Sequence, residues 1–121
     1  MPNFVWDDTD VALVLEVMPE VGTDGLAYHY MVERDGLRLE VSVFQYDGDV
    51  GIRLYRDGVE NSVFHATMRD CSGIRRVWEK DFECLEFAPR VVFDKRYDGV
   101  SSMPFGVRVS IKPSLSISLF E

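Results

Sequence analysis

Between Leu26 and Met68 apolar and polar residues alternate in four runs, near 26–34, 37–45, 50–56 and 59–67, separated by Asp-Gly pairs. Alternation with a period of two marks strands that bury one face. Asp35-Gly36 and Asp57-Gly58 fit two-residue hairpin loops, because these residue types tolerate the positive φ angles such turns need. Those loops set 34 opposite 37 and 56 opposite 59. In the middle, Val41 and Val43 share a face with Ile52 and Leu54 only if opposing numbers add to an odd value. A four-residue loop at Tyr46-Asp47-Gly48-Asp49 satisfies this. The pattern predicts a four-stranded meander over 26–67.

That register sorts the two faces. Tyr28, Tyr30, Val32, Leu39, Val41, Val43, Ile52, Leu54, Val59 and Val63 point inward, interrupted by Arg56 and Asn61. The other face carries Glu33, Arg38, Met31, Glu40, Tyr55 and Glu60, then His29, Ser42, Arg53 and Ser62. Its far end turns apolar at Ala27, Phe44 and Phe64. A half-solvated antiparallel sheet has this alternation.

The flanks are less regular. Val11–Met18 is apolar on both sides, as in a covered central strand or a short buried helix; β-branched content and Pro19 favour the strand. Residues 66–73 read as a loop or a single helical turn. A hairpin follows at 74–79 and 82–87 around Lys80-Asp81, then a short strand at Val91-Val92-Phe93 beyond Pro89. Residues 94–104 form the longest loop. From Val107 to Leu119 every odd position is apolar or proline, which reads as one strand bent at Pro113. The expected fold is all-β: an antiparallel sandwich or flattened barrel of about 8–9 strands with little or no helix, in a single domain over 1–121.

Composition supports this and narrows function. Valine occurs 17 times, against 4 Ala, 3 Lys and 1 Gln, so strand formers far outnumber good helix formers. The N-terminus lacks the basic and apolar regions of a secretory leader, and no apolar run nears the roughly 20 residues of a membrane helix. Two cysteines do not make a disulfide framework, so a cytoplasmic chain with free thiols is expected. Lys+Arg total 13 against 21 Asp+Glu, for a net charge of −8. Nucleic acid and anionic membranes need clustered positive charge and are disfavoured as partners.

Candidate chemistry is sparse. His29, His65, Cys71 and Cys84 are too few and too scattered for zinc, and Asp47/Asp49, Asp94/Asp98 and Asp7/Asp8/Asp10 match no calcium loop. No metal and no cofactor is expected. Arg75-Arg76, and Arg90 with Lys95-Arg96, read as ion-pair partners. The register sets His29 beside Ser42, with Arg53 and Ser62 in the same row and Glu40 diagonal. A serine beside an imidazole is a start on nucleophilic catalysis, but no oxyanion loop or orienting group accompanies it, so no catalytic residue is assigned. The candidate binding surface is Met31, Phe44, Tyr55 and Phe64 on the outer face, with His29, Arg53 and Tyr97. If Phe4, Trp6 or the C-terminal strand does not cover that apolar end, it is an interface. The reading is a non-catalytic binding domain that engages another protein, a basic one being the natural counterpart of its field, or itself as a homodimer. The alternative is a small-molecule or carbohydrate-binding sandwich using the 94–104 loop, with a small enzyme third.

Overall fold

Asp7 opens the first element. In the computed structural model, which describes residues 4–89 and 96–121, the Asp7 carboxylate accepts a hydrogen bond from Thr9 N at 2.8 Å and caps helix α1, Asp8–Leu15. Val11, Val14 and Leu15 are buried, at the i, i+3, i+4 spacing of a helix face. This corrects the strand expected over 11–18. An apolar run does not distinguish a covered strand from a buried helix, and the cap at Asp7 decides the local outcome.

Two antiparallel sheets follow. The first has the order β1 (Glu20–Val21), β2 (Tyr28–Arg34), β3 (Leu37–Phe44), β4 (Asp49–Arg56), β5 (Phe64–Met68). The second has the order β6 (Gly73–Glu79), β7 (Phe82–Ala88), β8 (Gly106–Ser110), β9 (Ser116–Phe120). Tyr30, Val32, Leu39, Val41, Val43, Val50 and Ile52 from the first sheet are buried in one core with Ile74, Leu85, Phe87, Val107 and Val109 from the second. Helix α1 contacts β2, β6 and β7 and adds its three apolar residues to that core. Among the described residues the fold is an all-β sandwich with one short α-helix and a single 3-10 turn at Thr23–Gly25.

The meander is present, with two changes of register. Arg34 pairs with Leu37 across a two-residue turn, and Asp35 and Gly36 both have positive φ (55° and 77°), the signature of type I′. The β3–β4 loop has four residues but spans 45–48, since Phe44 pairs with Asp49. Pairing is displaced by two residues from the expected register, an even step that keeps every side chain on its expected face.

At Asp57-Gly58 the turn forms, with Val59 N bonded to Arg56 O at 3.0 Å, but only Gly58 has positive φ (79°). That is the type II pattern, whose twist splays strands instead of pairing them. The chain loops out through 59–63 and rejoins at Leu54–Phe64. This odd displacement puts His65 and Thr67 on the outer face, and Phe64, Ala66 and Met68 on the inner one. Val59 and Val63, expected inside, are exposed.

The second sheet contains the expected hairpin, with Glu79 paired to Phe82. The C-terminal alternation is a hairpin and not one bent strand: β8 and β9 pair antiparallel, with Ser110 opposite Ser116 and Pro113, in a cis peptide, between them. A five-residue reversal preserves odd parity, so a bend and a hairpin leave the same pattern in the sequence. The strand expected at Val91-Val92-Phe93, the basic residues Arg90 and Lys95, and Asp94 with the start of the 94–104 loop lie outside the described residues.

Candidate functional site

The outer face of the first sheet carries a polar surface built from cross-strand rows. Cross-strand pairing lines up Glu20, His29, Ser42, Gly51 and Thr67 in one row, and Met31, Glu40, Arg53 and His65 in the next. Gly51 sits between Ser42 and Thr67 in the first row, and a Cβ built there would meet nothing within 4 Å. Missing that side chain, the face dips into a hollow of about 430 Å³, walled by His29, Phe44, Arg53, His65, Thr67 and Arg69 among others.

Hydrogen bonds fix both imidazoles. His29 Nδ1 lies 2.8 Å from Ser42 Oγ, and His65 Nε2 lies 3.1 Å from Thr67 Oγ1. The ring of Phe44 stands edge-on to His29, with centroids 6.1 Å apart. Ion pairs occupy two of the three lining carboxylates: Glu40 with Arg38 Nε at 3.1 Å, and Asp49 with Arg69 at 3.7 Å. Arg53, between Glu40 and His65, has no ion pair among the described residues. Three carboxylates (Glu40, Asp47, Asp49) and two guanidiniums (Arg53, Arg69) line the hollow, and Arg38 stands outside it beside Glu40.

The expected surface residues divide. His29, Phe44 and Arg53 line this hollow, and Met31 lines an adjoining one of about 400 Å³ that shares His29, Glu40 and Ser42. Tyr55 is on the same face but further along β4, under the Arg38 guanidinium at 4.3 Å. Phe64 is corrected to the inner-face register opposite Leu54, on the edge strand. Tyr97 is corrected to a core residue: it is buried with Ala88 and Met103, and its hydroxyl donates to Ser101 O at 2.7 Å. The expected ligand loop therefore lies, in its described part, against the second sheet. Phe4 and Trp6 pack into the main core and do not cover the outer face.

His65, Thr67, Gly51, Asp49 and Arg69 belong to the site and were not expected there. The alternation of Phe64, Ala66 and Met68 with His65 and Thr67 was the available signal for the first two. Arg53 and Ser42 do not share a row; Ser42 pairs with Gly51, and Ser62 lies in the 59–63 loop.

Chemically the hollow offers donors and acceptors. The Ser42–His29 pair is within hydrogen-bonding reach, but among the described residues His29 has no carboxylate partner of the kind that orients a catalytic imidazole. Among the described residues no group of three or more His, Cys, Asp and Glu is arranged to hold a metal ion.

A second polar cluster, on the outer face of the second sheet, makes a useful contrast. Glu86 is buried between Arg75 at 3.0 Å and Arg108 at 2.7 Å, so its charges are internally satisfied. Both thiols are buried and free, and burial pushes Cys71 up to about 12 and Cys84 to about 11.

No protein-family model matches the chain, and no curated protein matches it in sequence. Its fold is similar to a chain of a structure described as a contact-dependent growth inhibition toxin–immunity protein complex from Klebsiella pneumoniae 342. The TM-score is 0.73 at 14% identity, and the match covers 99% of this chain and 98% of that one. The shared property is the fold.

Proposed function

We propose that this chain is a protein-binding domain of the immunity type, which docks on a toxin-like protein and occludes it. The observation that carries this is the end-to-end fold match to a chain of a toxin–immunity complex. Of the two roles in such a complex, the net charge of −8 favours the neutralising one. A field of that size accelerates encounter with a basic partner, and fast capture is what neutralisation requires. The cytoplasm is the proposed setting, where Cys71 and Cys84 stay reduced. The polar hollow, uncovered by any described residue of the chain, is the proposed docking surface.

The test is co-expression with the polypeptide encoded by the reading frame adjacent to its own. The expected result is a stoichiometric complex, protection of cell growth against that polypeptide, and an association rate that falls as salt rises. Absence of both complex and protection overturns the proposal.

A further inference from the structure

We propose that the hollow on the first sheet accepts a carboxylate side chain of the protein partner, with Arg53 as its counter-ion and the two imidazoles beside it. This rests on the protein-binding reading above and adds the chemistry of the contact.

The argument starts from what is already paired. Glu40 and Asp49 each have an ion-pair partner, Arg38 Nε at 3.1 Å and Arg69 at 3.7 Å, so a cationic group entering between them competes with guanidiniums of the chain itself. Asp47, the third carboxylate, stands on the turn at the lip. Arg53 is the reverse case. Its direct cross-strand neighbours are Glu40, which has Arg38 Nε at ion-pair distance, and His65, whose Nε2 faces Thr67. A guanidinium presents a rigid fork of donors that matches a carboxylate in two parallel bonds. Each imidazole has one nitrogen engaged by a hydroxyl, leaving His29 Nε2 and His65 Nδ1 to turn toward a ligand. Phe44 and Met31 flank the polar centre with exposed apolar surface, which suits a side chain carried on a protein.

The charge of the whole chain selects among anions. A single carboxylate seated on Arg53 meets a lining whose charges nearly balance, three carboxylates against two guanidiniums with Arg38 just outside, and adds only one charge to the −8 field. A nucleic-acid strand would meet that field at every phosphate. The Arg75–Glu86–Arg108 cluster has no such vacancy, since Glu86 already accepts from both arginines.

The experiment titrates the isotope-labelled full chain with three probes, followed by nuclear magnetic resonance: acetyl-Gly-Glu-Gly-amide, its Gln counterpart, and inorganic phosphate. The expected result is saturable shifts at Gly51, Arg53, His65 and Thr67 with the Glu peptide, at least tenfold weaker with the Gln peptide. Arg53→Gln, on an exposed side chain, should keep the spectrum of the folded chain and lose the Glu-peptide affinity at least tenfold. Equal response to both peptides, no response to either, or an unaffected Arg53→Gln overturns the assignment. Phosphate binding at these residues without Glu-peptide binding overturns it in favour of a nucleic-acid phosphate. None of these results depends on the adjacent polypeptide, so failure of the carboxylate site and failure of the protein-binding reading are separable.

Discussion

Gly73 opens β6 and Gly51 lies within β4, and their surroundings are opposite. A Cβ on Gly73 would lie 2.3 Å from the carbonyl oxygen of Val5 and 2.8 Å from the Tyr97 ring. Val5 runs beside it as a parallel bridge, with Ile74 N bonded to Val5 O at 3.0 Å. Gly73→Ala must move backbone, and a loss of about 1–3 kcal/mol is expected in thermal or denaturant unfolding. Gly51 has open space above it, so Gly51→Val is expected to change stability by no more than about 0.5 kcal/mol while placing a branched side chain in the hollow. Neither role was legible in the sequence, because each depends on neighbours distant along the chain. The cysteines were legible as free thiols, and their burial adds reactivity. With Cys84 at about 11 and Cys71 at about 12, the thiolate is at most roughly one part in a thousand at pH 8. Neither should react with a thiol reagent in the native chain, and both should react once denaturant is added. Rapid native labelling would contradict the burial.

Local chemistry decided the elements wherever the sequence was read correctly. Asp35-Gly36 fixed a turn, the turn fixed the β2–β3 register, and His29 fell beside Ser42 as expected. Asp57-Gly58 looked identical but adopted the turn type that does not continue a ladder, and one odd displacement reversed the faces of β5. That single turn hid His65 and Thr67 from the candidate site. Gly36→Val should cost about 1–2 kcal/mol, because a β-branched residue resists φ of 77° in a turn that also needs Asp35 left-handed. Helix α1 was missed because its apolar stripe sits in a run that is apolar throughout. Its cap gives the check: Asp7→Ala removes the bond to Thr9 N, and about 1 kcal/mol should be lost in chemical denaturation. The C-terminal hairpin was invisible in principle, since an odd-length reversal and a continuous strand share one parity.

At the scale of the whole molecule, two layers bury one core and leave an outer sheet face with a hollow that the described chain does not fill. On the proposed reading, net charge acts at long range and Arg53, without an ion pair among the described residues, at short range, which separates a partner's approach from its seating. The all-β class, the meander and its inner face over β2–β4 followed from periodicity, while the hollow required the true register of β5. The central claim is that a protein partner seats on this face. It is tested most directly by the dissociation constant for the adjacent-frame polypeptide, measured with the native chain and with Gly51→Val at matched melting temperature. The account expects tight binding by the native chain and at least a hundredfold loss, about 2.7 kcal/mol, in the variant. Equal affinity for both chains would contradict it.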